Sequence, residues 1–176
     1  MLTRLGPAPR SGDVVDALLD CHQRIREFTE LAARLASARG VSEAEVRDAA
    51  ARAHRYFSTA LPLHARDEEE SLLPRLEGLD PEVDRELAEM MREHSEHGDP
   101  TDRVLAACAE LKRDPAALPR LAPALAAAAR DLQRHFEAHL EREERVIFPA
   151  VRARLDRATQ ETIQAEMRAR RASPAG

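Results

Sequence analysis

The stretch from His135 to Pro149, HFEAHLEREERVIFP, sets His139 four residues before Glu143. Residues 63 to 76, LHARDEEESLLPRL, repeat the arrangement with His64 and Glu68. Each copy continues with a second acidic residue (Glu69, Glu144), then an apolar pair and a proline: Leu72-Leu73-Pro74 and Ile147-Phe148-Pro149. On a helix, residues four apart share a face, so each imidazole stands beside its carboxylate. Two such pairs, with isolated histidines on other helices, suggest a two-metal site inside a helical bundle.

The rest of the chain agrees with a helical reading. Its 176 residues are enough for one domain with a real core. Apolar residues make up 43%, much of it alanine, while aromatics are only 3%, so small, closely spaced helices fit best. Alanine, leucine, glutamate and arginine favour helix, and strand-favouring runs are absent. A formal charge of -5 argues against a nucleic-acid partner. Cys21 and Cys108 form no CxxC pair and suggest no disulfide framework. The start, MLTRLGPAPRSGD, lacks the apolar core of a signal peptide, and no run reaches membrane-spanning length. A cytoplasmic protein with no membrane partner is the expectation.

Residues 1 to 12, rich in proline, glycine and arginine, read as a loose arm. A first helix is expected from Asp13 to about Ala38, its apolar stripe carrying His22 inward, with Gly40 as the stop. Ser42 and Glu45 form a capping box for a second helix, expected to run to about Leu73. Pro62 predicts a bend before His64, and Pro74 closes the helix or starts another turn. Asp80-Pro81 opens a third helix that carries Met90, Met91 and His94. Around Gly98 this helix either kinks or breaks in two. The last long helix is expected from Leu118 or Leu121 to Phe148. Beyond Pro149, residues 151 to 170 form a shorter amphipathic helix that caps one end of the bundle, and the terminal RASPAG frays. The expected division is thus an arm (1–12), a bundle (13–150) and a C-terminal helix with its tail (151–176). His64 and His139 are 75 residues apart, and His22 and His94 are 72 apart. Each half then supplies one lone helix histidine and one His-x3-Glu, and two such hairpins close as an all-α, up-and-down four-helix bundle.

Six residues carry the chemical reading: His22, His64, Glu68, His94, His139 and Glu143. Imidazole and carboxylate are ordinary ligands for iron, manganese and zinc. Two ions repel each other, so anionic ligands shared between them are favoured. Glu68 and Glu143 can bridge with their two oxygens, and the four histidines then divide two to each ion. Coordination positions stay open for water, oxide, dioxygen or peroxide. A single His-x3-Glu is more often a surface ion pair; the duplicated setting reverses that preference. Glu69 and Glu144 are expected to be solvated or to orient a ligand imidazole.

The other histidines are less well placed. His135, one turn before His139, could ligate, hydrogen-bond within the core or flank the site. His97 could add a ligand if the backbone bends at Gly98. His54 lies about 15 Å along a helix from His64 and belongs to core or surface. Tyr56 is expected to pack, and Cys21, about 100° round the helix from His22, takes no ligand role. No histidine follows a glutamate by three residues, which disfavours a ferritin-type site. HExxH, glycine-rich phosphate loops and cysteine knuckles are absent too.

The order His, His-x3-Glu, His, His-x3-Glu resembles the hemerythrin-like, or HHE cation-binding, family. It is carried by His22, HARDE from His64 to Glu68, Glu93-His94, and HLERE from His139 to Glu143, and it covers residues 13 to 150. The resemblance implies a four-helix bundle around a non-heme di-iron centre, with the six positions as ligands. It also implies Glu68 and Glu143, with an oxo or hydroxo group, as bridges. Manganese or zinc are the substitutes. Two departures separate it from oxygen-carrying hemerythrins: position 98 is glycine where they have a second histidine, and Glu143 follows His139 by four residues where they have aspartate at five. It looks more like bacterial relatives linked to sensing or turnover of iron, dioxygen, peroxide or nitric oxide. A catalase-like, peroxide-decomposing enzyme is one concrete form. The alternative is iron storage or a metal-responsive regulatory module, with a protein partner or a homodimer held by the C-terminal helix.

Overall fold

The computed structural model describes residues 12–96 and 98–172. The expected arm up to residue 11, the terminal residues from 173, and His97 lie outside the described residues.

Helix α1 (Val14–Ser37) starts where its capping chemistry sits. The Asp16 N–H donates to Asp13 Oδ1 at 3.0 Å, and the Asp13 N–H donates back to Asp16 Oδ2 at 3.1 Å. Its buried stripe is Val14, Val15, Leu18, His22, Ile25, Thr29, Ala32, Leu35 and Ala36, the spacing of one helix face. Gly40 then turns the chain at φ +66°, a left-handed conformation that glycine adopts without a Cβ penalty. The second helical run, α2 (43–76), opens with the expected reciprocal cap between Ser42 and Glu45.

Pro149 does not end its helix as expected, and of the two outcomes open at Pro74 the structure shows a further turn. The run α2 stays helical through Pro62 and Pro74 to Leu76. The last long run, α5 (118–154), continues through Pro149 to Arg154, so the C-terminal helix starts later than expected. The reason is a wide turn just ahead of each proline. Tyr56–Ala60, Glu68–Leu72 and Glu143–Ile147 are π-helical, and the N–H groups of Leu61, Leu73 and Phe148 donate five residues back, to Tyr56, Glu68 and Glu143. A proline inside an α-helix clashes with the carbonyl four residues back. One extra residue in the preceding turn shifts that carbonyl and lets the helix pass.

Gly78, at φ +80°, turns α2 into α3 (Pro81–Glu96), and α4 (Gly98–Arg113) follows on the other side of residue 97. A 3-10 turn, Pro115–Ala117, leads into α5, and α6 (Arg157–Ala172) ends the described chain. Helix α1 packs against α2 and α5, and α4 packs against the same two, giving the four corners of an up-and-down bundle. Helix α3 lies against the π turn of α5, and α6 crosses α1 and the part of α2 that holds residues 61–72.

The apolar interior comes in two parts. One holds Ile25, Ala53, Phe57, Val104, Leu125, Leu132, Phe136 and Leu140. The other holds Leu18, Leu72, Leu76, Leu87, Met90, Ile147, Phe148 and, from α6, Ile163 and Met167. On α1, α2 and α5 the sequence passes from one part to the other through a polar residue: His22, the His64–Glu68 turn, and the His139–Glu143 turn. A buried polar layer therefore separates the two cores. No helix among the described residues is long and apolar enough to cross a membrane.

Candidate metal centre

All six residues singled out in the sequence meet in that layer. They fall into two overlapping groups, His22, His64, Glu68 and Glu143, and Glu68, His94, His139 and Glu143. Within each group, one donor atom per residue lies within 4.8 Å of the others. Around the first, His22 Nε2 is 3.1 Å from Glu143 Oε2 and 3.9 Å from Glu68 Oε1, while His64 Nε2 is 3.2 Å from Glu68 Oε1. Around the second, His94 Nε2 is 3.3 Å from Glu68 Oε2, and His139 Nε2 is 3.2 Å from Glu143 Oε1. Each carboxylate thus turns one oxygen to each group, and all four histidines present Nε2.

Several of these atoms are buried with no hydrogen bond among the described residues. Among the described residues, His22 Nε2, both ring nitrogens of His64 and all four oxygens of Glu68 and Glu143 have no hydrogen-bond partner. Both glutamates are at most 1% exposed. Burying unpaired carboxylates costs several kcal/mol, roughly, and native interiors do not leave them so without cause. A cation answers both problems at once. Donor atoms at right angles around an ion, each about 2.1 Å from it, stand about 3.0 Å apart. Four of the five spacings, at 3.1–3.3 Å, match that geometry, and the fifth, His22 to Glu68, is wider at 3.9 Å.

The charges of the metal-free layer follow from burial and proximity. Burial pushes the Glu143 carboxyl up to about 8, with the Glu68 charge adding to it. Burial acts on Glu68 too, but the His64 charge and contacts from His22 and His94 outweigh it, leaving Glu68 well below the usual carboxylate range. Burial opposes charge on His22 and His94; the carboxylates overcome it and raise them to about 10 and about 9. For His64 burial dominates and lowers the ring to about 4.

An outer ring of carboxylates aims three of the imidazoles. Glu144 Oε1 is 2.8 Å from His22 Nδ1, and Glu69 Oε1 is 2.7 Å from His94 Nδ1, so of the two roles left open for them, solvated or orienting, the contacts are those of the orienting one. The third, Glu93, was missed: its Oε2 is 2.9 Å from His139 Nδ1, and Arg142 Nη2 donates to its Oε1 at 2.8 Å. The signal was present, because Glu93 continues the buried stripe Val83, Leu87, Met90.

Also missed was Asp67, fully buried beside Glu68. Arg170 Nη1 and Arg171 Nη2 of α6 donate to its two oxygens at 2.8 and 2.6 Å, and Arg170 reaches Ser71 Oγ at 2.6 Å in the same π turn. His54 and His135 belong to neither group. Tyr56 packs, stacked on Phe28 with ring centroids 4.1 Å apart. Cys21 sits 4.0 Å from Arg171 and joins neither group.

An all-α bundle with two interlocked His/Glu donor sets across its middle defines a metal-binding four-helix-bundle protein. The family model described as the hemerythrin HHE cation binding domain matches residues 13–151, and the chain belongs to that family. A search of curated proteins finds no match to the chain.

Proposed function

We propose that this protein is a non-heme di-iron protein that binds, senses or turns over a small oxidant: dioxygen, hydrogen peroxide or nitric oxide. The observation that carries the reading is the sharing of both carboxylates. Glu68 and Glu143 each give one oxygen to the His22–His64 side and one to the His94–His139 side. The ligands would be His22, His64, Glu68 and Glu143 for one ion, and Glu68, His94, His139 and Glu143 for the other. Manganese or zinc would suit the same donors.

The protein's own contribution is binding, orientation and exclusion of water. Four protein atoms per ion leave room for a small ligand in a six-coordinate sphere. Two divalent cations facing two carboxylates keep a net positive charge, which favours an anionic or polarisable ligand over a neutral organic one. Phe148 covers the His22 ring at a centroid distance of 4.8 Å, and the two apolar clusters, one with Leu140 and the other with Leu72 and Ile147, are built of buried side chains. The iron pair would supply the redox chemistry. Peroxide decomposition is the enzymatic form we propose.

A second reading, a metal-responsive regulatory module, is favoured by α6. That helix lies beyond the matched residues 13–151 and grips the turn that carries Glu68. Metal quantification on protein purified without added metal, with its visible spectrum, tests the ion reading: two irons per chain are expected. Peroxide consumption by that sample then separates the two readings. Iron without consumption puts regulation or storage ahead, and a carefully iron-loaded sample that retains none ends both.

A further inference from the structure

We infer that the two ion positions are unequal, and that the one between His94 and His139 takes the first ion because the outer carboxylates are shared out two to one. This rests on the ion-binding reading above. A ligand histidine that donates its second ring N–H to a carboxylate is held in one tautomer and one orientation, and becomes a stronger donor.

On the His94–His139 side both rings have such a partner: Glu69 at 2.7 Å and Glu93 at 2.9 Å from the respective Nδ1 atoms. On the other side, among the described residues, only His22 has one, Glu144 at 2.8 Å. Even that contact is shared, because Arg26 Nη2 donates to the same Glu144 oxygen, also at 2.8 Å. Glu93, by contrast, meets His139 with one oxygen and Arg142 with the other. His64 is 3% exposed, and its Nδ1 has no hydrogen-bond partner among the described residues. For Nε2 to face an ion, the single ring proton must sit on Nδ1, where no acceptor of the described residues takes it. His64 is therefore the least supported ligand of the four, and its ion the later to bind and the first to leave.

Calorimetric titration of the metal-free protein with cobalt(II), followed also by the visible bands of the bound ion, tests this. The wild-type chain should bind in two steps at least about tenfold apart. Replacing an outer carboxylate by its amide keeps an acceptor but removes the charge, so Glu93→Gln should weaken the first step by about ten- to a hundredfold. Glu69, whose side chain is 34% exposed, provides the same test at a position where folding is less at stake: Glu69→Gln should act on the first step too. Glu144→Gln should weaken the second step and leave the first unchanged. A merely structural role would lower both steps together. Two equal steps in the wild type, or a Glu144→Gln effect on the first step, would overturn the inference while leaving the ion-binding reading intact. A wild-type chain that takes up no cobalt and no iron would overturn both.

Discussion

Glu68 concentrates the chemistry of the site in one side chain. Its two oxygens face two different donor sets, and its backbone carbonyl accepts the wide-turn hydrogen bond from Leu73. Glu68→Ala removes a donor from each set, so it should abolish stable loading of both ions, as read by metal analysis after desalting. Retention of the wild-type ion content would argue that the ions sit elsewhere. The metal-free layer also has a definite pH response. His22 and His94 are raised to about 10 and about 9, and Glu143 to about 8. Folding therefore takes up protons on these groups, and the stability they contribute is present below their unfolded values and lost as pH rises through the folded ones. With chelator present, the melting temperature should fall between about pH 7 and pH 10. Ion binding must displace those protons, so affinity should rise over the same range. His64 works the other way: its ring, lowered to about 4, favours the fold above pH 6.5 and costs stability as pH drops towards 4. Melting curves at several pH values, with and without iron, check both signs.

Helices were the easier elements to foresee, and their ends the harder. Capping at Asp13 and Ser42 was written in local residue types, and α1 begins where its cap places it. The wide turns ahead of Pro62, Pro74 and Pro149, and with them the passage of α5 through Pro149, were not legible, because such a turn is not a periodicity of side chains but one extra residue in the backbone ladder. Four candidate ligands were readable from four-residue spacing, and His22 and His94 from their places on apolar helix stripes; Glu93 was hidden among the other glutamates of α3. Asp67 was hidden because its partners lie about a hundred residues further on, at Arg170 and Arg171. That pairing makes α6 more than a lid. Arg170 is 11% exposed at the side chain and Asp67 not at all. Arg170→Ala leaves a buried carboxylate half-paired and should cost about 3 kcal/mol in urea unfolding. Adding Asp67→Asn should return part of that loss, since the charge left behind is gone. A double variant no more stable than Arg170→Ala alone would mean that the arginine acts through packing.

At the scale of the whole molecule, the bundle and its family were legible because they depend on the order of a few polar residues along an apolar periodicity. The split of the interior into two apolar parts was not, since it depends on which residues face one another across the bundle.

That split bears on cooperativity. A chain whose oily halves meet across a layer of buried carboxyl and imidazole groups short of hydrogen-bond partners has a built-in plane of weakness, and a pair of cations at that plane would join the halves into one folding unit. The chelated protein should then melt over a broader range, with its van't Hoff enthalpy below the calorimetric one, and the iron-loaded protein should melt as a single sharp transition. Scanning calorimetry of the two samples decides it: equal sharpness in both would mean that the helices alone, which run unbroken through the polar layer, keep the halves together.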